Sequence, residues 1–244
     1  MTSKMTSKIC LIFGLVLGFA WAGAAYATET AGPPIPDSLK SPNPAANGNK
    51  PGQTGKIAGP PAPFVPIDPQ VAIQKANAYF NNTQSMIADF VQIGGDGRRA
   101  EGKMFVQKPG RLRFEYAAPA TLDIIADGTT VAVIDRKVGS VQPYFIWQTP
   151  LKFLLKDQID LTKDTTVTNV TSDPDNVIIE IEDKQVFGGP TLIKLMFDPA
   201  SFTLKQWQVT DPQGNETLVS LFNQDFTTKP DPANFQLYQS SSNK

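Results

Sequence analysis

Lysines, arginines, hydroxyls and carboxylates are the groups through which this chain can do chemistry, because its 244 residues include no histidine and a single cysteine, Cys10. Asp123 and Asp135 are the acids to consider first, since two carboxylates flanking a substrate can share acid and base duties in hydrolysis. Acids spread over strand positions and turns are ordinarily solvated, however, so no enzyme is expected. Without imidazole, or a thiol beyond Cys10, there is no Ser-His-Asp triad, no cysteine nucleophile, no disulfide framework and no zinc site of the usual ligands. No GxxxxGK[ST] loop is present to cradle phosphates. The formal net charge of −1 gives no basic footprint for nucleic acid. No catalytic site, cofactor or metal is expected; what remains is binding by burial.

The stretch 101–119, EGKMFVQKPGRLRFEYAAP, shows what kind of burial. Leu112, Phe114 and Tyr116 alternate strictly with Arg111, Arg113 and Glu115, so a strand here has one apolar, sheltered face and one charged, wet face. Lys108-Pro109-Gly110 ends the preceding strand, since proline offers no ladder donor and glycine accepts the positive φ of a tight reversal. The pattern is a hairpin. Lys108 shares the parity of Leu112 and Phe114, which places it at the rim of the apolar face, while Arg113 falls on the convex side. Arg98 and Arg99 read as a solvated strand edge that discourages pairing with other chains.

The elements around this hairpin are mostly strands. Asp68 and Pro69 open a helix running to about Asn81, with Asp68 as N-cap and an apolar stripe of Ala72, Ala76, Tyr79 and Phe80. Strands are expected at about 85–93, 100–107, 111–117, 121–126, 129–135, 140–145, 166–171, 176–183, 191–198, 202–210 and 215–224. Gly, Pro, Asp and Asn turns separate them, and their regular spacing argues for one antiparallel meander. A second helix is expected at 150–156 with Thr149 as N-cap. Its nearly all-apolar body of Leu151, Phe153, Leu154 and Leu155 must be buried on more than one side. A sheet of about eleven strands is expected to curl, and its concave face is the natural seat for such a helix. Parity puts Met86, Ala88, Phe90, Met104, Val106, Leu112, Phe114 and Tyr116 on that face, with Leu122, Ile124, Val131, Val133, Leu195 and Phe197 continuing it.

The N-terminus has the form of a secretory signal peptide over residues 1–27. Lys4 and Lys8 precede an apolar run over 9–21, and Ala25-Tyr26-Ala27 supplies a small-x-small cleavage site. Cys10 precedes the apolar core rather than following it, so it leaves with the signal and does not mark a lipidated N-terminus. Residues 28–67 hold about half of the 21 prolines, with much Gly, Asn, Ala and Ser, the composition of a disordered, partly extended linker. A single folded domain over 68–239 and a disordered tail at 240–244 complete the expected organisation.

In order along the chain, Asp89-Phe90-Val91-Gln92, Gly102, Lys108-Pro109, Arg113-Phe114, Asp127-Gly128 and Thr149-Pro150-Leu151 resemble the periplasmic outer-membrane lipoprotein carrier family, LolA. One residue departs from the family pattern: the arginine before the hairpin proline is Lys108 here, which keeps the charge and loses the planar fork of donors. The resemblance implies a mainly β (α+β) fold, an incomplete antiparallel β-barrel with short helices lying as a lid over its concave hydrophobic face. It also implies a monomeric periplasmic chaperone that carries triacylated lipoproteins from the inner to the outer membrane of a Gram-negative bacterium. The donor would be an inner-membrane, ATP-driven lipoprotein exporter of the LolCDE type, and an outer-membrane receptor could accept the cargo. Phe90, Met104, Val106, Leu112, Phe114, Tyr116, Ile124, Leu151 and Leu154 would then bind acyl chains. Lys108 would hold the lid through helix carbonyls or meet the ester and head of the cargo. The alternative is a lipid-sensing or lipid-binding module in envelope-stress signalling, built on a similar half-barrel. An outer-membrane receptor of the same fold would need a lipidated cysteine, and none is suitably placed.

Overall fold

The computed structural model describes residues 64–186 and 188–237. The expected signal peptide, most of the expected linker and the expected tail therefore lie outside the described residues. Helix α1 (Pro69–Asn82) starts as its sequence dictates, with the Asp68 carboxylate accepting the amides of Gln70 at 2.8 Å and Val71 at 3.1 Å. Its buried face is Ala72, Ile73, Ala76 and Phe80.

Eleven strands follow: β1 (Ser85–Ile93), β2 (Arg99–Gln107), β3 (Arg111–Tyr116), β4 (Leu122–Asp127), β5 (Thr130–Asp135), β6 (Ser140–Phe145), β7 (Thr166–Ser172), β8 (Val177–Asp183), β9 (Thr191–Phe197), β10 (Leu204–Thr210) and β11 (Glu216–Asp225). They form one open antiparallel sheet in the order β6-β5-β4-β3-β2-β1-β11-β10-β9-β8-β7. This corrects the expectation of a single meander. Two meanders, β1–β6 and β7–β11, are joined where β1 pairs with β11, so the chain leaves the sheet at one edge and re-enters it at the other.

The connection between those edges carries the lid. It contains a 3-10 turn (Ile146–Gln148), helix α2 (Lys152–Leu155) and helix α3 (Leu161–Asp164). Helix α2 begins later than the sequence suggests. Leu151 caps it, and the Thr149 hydroxyl instead donates to Ile146 O at 2.8 Å and accepts only weakly from Leu151 N at 3.4 Å.

The sheet is strongly curled. Phe114 on β3 and Trp207 on β10 are four strand steps apart, roughly 19 Å in a flat sheet at about 4.8 Å per step, yet their ring centroids are 6.4 Å apart. Inner-face residues follow the expected alternation: Met86, Ala88, Phe90, Met104, Val106, Leu112, Phe114, Tyr116, Ile124, Val131, Leu195 and Phe197 are buried in one cluster, with Leu122 and Val133 half-buried against it.

The convex face is less wet than the alternation of β3 implies. Ile125, Ala132 and Ile134 form a second small cluster there, with Leu237 packed on it, and the 3-10 turn Pro232–Phe235 lies against β3 and β4. Beside this cover the Arg113 side chain is only 11 % exposed, because it reaches the fully buried Asp123 carboxylate at 3.5 Å and Glu115 at 3.0 Å. Arg136 reaches Asp123 from the other side at 3.3 Å and donates to the Tyr116 and Ala120 carbonyls. Burial raises the Asp123 pKa, against the pull of both arginines. Asp135 accepts from the Thr121 hydroxyl and the Lys137 amide. Both acids are thus engaged in holding the sheet.

Candidate functional site

The concave face is an apolar floor with an apolar cover. All nine residues expected to meet acyl chains, Phe90, Met104, Val106, Leu112, Phe114, Tyr116, Ile124, Leu151 and Leu154, lie buried in the same cluster, seven from the sheet and two from the α2 segment. Phe153 and Leu155 complete the apolar body of that segment. The aromatic rings run as a seam from floor to cover: Phe90 meets Phe114 at 5.0 Å and Tyr116 at 5.1 Å, Trp207 meets Phe153 of α2 at 6.0 Å, and Phe153 meets Phe80 of α1 at 5.6 Å. These are edge-to-face contacts, the arrangement favoured by the ring quadrupole.

Few polar ties fasten this cover. The hairpin turn between β2 and β3 grips both helices: Lys108 Nζ donates to Phe80 O at the end of α1 at 2.6 Å, and the Gly110 amide donates to Leu155 O at the end of α2 at 2.9 Å. Lys108 is only 8 % exposed, so it lies beneath α1. Burial lowers its pKa to about 8, with Asp157 pulling the other way. Gly110 serves here because its φ of +74° suits glycine and because a Cβ would meet Gly128 Cα at 2.7 Å.

Asparagines and a second lysine add further ties. The Asn81 amide brackets Ile159, donating to its carbonyl at 3.0 Å and accepting its amide at 2.8 Å, while Asn77 accepts from Leu161 N at 3.0 Å. Lys152 on α2 reaches the buried Asp183 carboxylate of β8 at 2.8 Å and Asp164 O at 3.1 Å. Lys156 pairs with Asp164. Sequence reasoning missed these asparagines and Lys152, since a surface-type residue on a short helix carries no sign of its distant partner. It also missed Trp207, although Trp207 and Val209 alternate on β10. The register shift between Leu204 and Gln206 breaks the parity count that would have placed the indole on the inner face.

Clefts open on the surface around α1. One, of about 580 Å³, lies between α1, the Ala200–Thr203 turn and Phe226. The other, of about 370 Å³, lies around Asn77, Asn81 and Lys163. Neither is lined by the nine concave residues.

A family model described as "Outer membrane lipoprotein carrier protein LolA" matches residues 81–238. An outer-membrane lipoprotein carrier protein of Chromobacterium violaceum is 24 % identical over 171 residues, covering 67 % of this chain and 82 % of its own. An uncharacterized protein of Rickettsia prowazekii is 30 % identical over 92 residues, 38 % of this chain and 43 % of the relative; the match thus spans less than half of that relative's length. Among solved structures, a LolA superfamily protein from Nitrosomonas europaea is similar over 70 % of this chain and 98 % of its own, at 12 % identity and a TM-score of 0.41.

Proposed function

We propose that this chain, which belongs to the outer membrane lipoprotein carrier protein family LolA, is a soluble periplasmic chaperone that shelters the acyl chains of lipoproteins between its concave sheet and its lid and carries them from the inner to the outer membrane. The observation that carries this reading is a largely apolar floor covered by a short apolar segment that a handful of polar ties hold down.

The energetics suit a carrier. Fully burying a chain of roughly 16 carbons is worth on the order of 12 kcal/mol at about 0.8 kcal/mol per methylene, a grip too firm for release. Parting Leu151, Phe153, Leu154 and Leu155 from the floor costs on the order of 1.5–3 kcal/mol for each side chain that loses its burial. The two contributions oppose each other, leaving a net affinity small enough for transfer. Loading from a membrane then requires work done elsewhere, and the resemblance to the family points to an inner-membrane, ATP-driven exporter as the donor that does it.

Native mass spectrometry of the secreted protein with a detergent-solubilised triacylated lipoprotein, and with its delipidated form, tests the reading. A one-to-one complex with the acylated form alone is expected. Binding to neither form, or to both alike, rejects acyl-chain carriage.

A further inference from the structure

Four buried side-chain polar atoms among the described residues have no hydrogen-bond partner: Gln107 Oε1, Arg113 Nε, Asp183 Oδ2 and Trp207 Nε1. Arg113 and Asp183 are already engaged in ion pairs through other atoms, and Gln107 is only half-buried. Trp207 differs from all three. It is fully buried, and its indole N–H is the one polar group it has. The rings packed around it, Phe114 and Phe153, offer π faces, which are weaker acceptors than a carbonyl oxygen.

Burying such a donor without a partner is unfavourable, and phenylalanine, already the neighbouring residue on both sides, would provide aromatic packing without it. The position of the indole suggests what the donor is for. It stands on β10 directly under Phe153 of α2, so the movement that parts the lid from the floor uncovers it. The phenol of this aromatic group, Tyr116, already donates its hydroxyl to Gln92 Oε1 at 2.7 Å.

We propose that Trp207 is the polar anchor of the cargo site, its Nε1–H donating to the carbonyl oxygen through which a fatty acyl chain is linked to its carrier molecule. The inference rests on the carrier reading and names the group of the cargo that is recognised: an acyl carbonyl, as distinct from a plain alkyl chain. The carbonyl can belong to a glyceryl ester or to an N-terminal amide. A hydrocarbon floor alone cannot tell acyl from alkyl; one buried donor can, by the worth of one hydrogen bond, about 3- to 10-fold in affinity.

The experiment compares wild type with Trp207→Phe on three synthetic lipopeptides: a dipalmitoyl ester with a free amine, the matching dihexadecyl ether with a free amine, and the dihexadecyl ether bearing an N-palmitoyl amide. Wild type is expected to bind the diester, the N-palmitoyl probe or both about 3- to 10-fold more tightly than Trp207→Phe does, with a ratio near one for the free-amine ether. The arm that responds identifies ester or amide. A uniform ratio across the three probes assigns Trp207 to packing alone and overturns the proposal. Failure of wild type to bind any probe overturns the carrier reading and the anchor with it. Should Trp207→Phe not fold, the indole proton resonance decides, assigned by elimination with Trp147→Phe. It is expected to move downfield with a carbonyl-bearing probe and not with the free-amine ether, and no differential shift overturns the proposal.

Discussion

Lys108 combines two demands that oppose each other, a strong hydrogen bond to Phe80 O and the loss of water around an ammonium group. With its pKa lowered to about 8 in the folded protein, the unfolded chain binds the lysine proton more tightly, so stability rises with pH as the folded form gives that proton up. Between pH 8 and 9.5 the gain attributable to Lys108 is about 1.5 kcal/mol, and below pH 8 it fades. Urea unfolding of wild type and Lys108→Met across that interval isolates it: the difference between the two proteins should change by this amount, and parallel curves would show that the lysine titrates normally. A movement that lifts α1 off the turn rehydrates the same group, so it takes up a proton and becomes harder as pH rises. An arginine at this position would stay charged throughout. Among the apolar residues, Phe114→Ala and Leu154→Ala should each lower affinity for an acylated lipopeptide by on the order of 10-fold and destabilise the fold by about 2–5 kcal/mol. Arg99→Glu, at an exposed position, should do neither. Isothermal titration with unfolding curves separates the outcomes, and loss of stability with unchanged affinity would take both residues out of the binding site.

Strand pairing makes its own demands, and Gly102 shows one of them. On β2 it lies between Phe90 of β1 and Tyr116 of β3, and a Cβ there would stand 1.9 Å from the Glu115 carbonyl oxygen. Gly102→Ala must push β2 and β3 apart, at a cost of about 3 kcal/mol, near the top of the range for overpacked sites. Thermal unfolding checks this, and a variant as stable as wild type would mean that the strands can shift without loss. Legibility follows from the same physics. All eleven strands could be read because alternation and turn residues are local signals, and Leu112, Phe114 and Tyr116 carried their burial in plain parity. Strand order could not be read, since the β1–β11 pairing joins segments far apart in the chain and parity does not name a partner. The helices of the strap were read poorly: Leu151, Phe153, Leu154 and Leu155 announce burial, but a four-residue helix is set by what it packs on. For Lys108, a helix carbonyl was the expected kind of partner and Phe80 O is one, but which helix supplies it could not be read, since the acceptor is a backbone atom of a separate element.

At the scale of the whole domain, the sheet and the strap differ in how they are held. The sheet is a continuous ladder of eleven strands with β1 flanked by β2 and β11 near its middle, whereas residues 146–165 cross from one edge to the other and are fastened by apolar contacts and the ties from Gly110, Asn77, Asn81 and Lys152. Segments fastened in this way open at lower free energy than ladder-bonded strands. Hydrogen exchange should therefore find the amides of α2 and the 156–161 turn less protected than those of β1, β2 and β11 in the cargo-free protein. An acylated lipopeptide that replaces the lid on the floor should lower protection in α2 further and leave the central strands unchanged. Matched exchange in the strap and the central strands, rising together with temperature, would mean that the floor is uncovered only when the domain unfolds. A chain behaving that way could not release and recover an acyl chain while keeping its fold, and the strap would be part of an ordinary core.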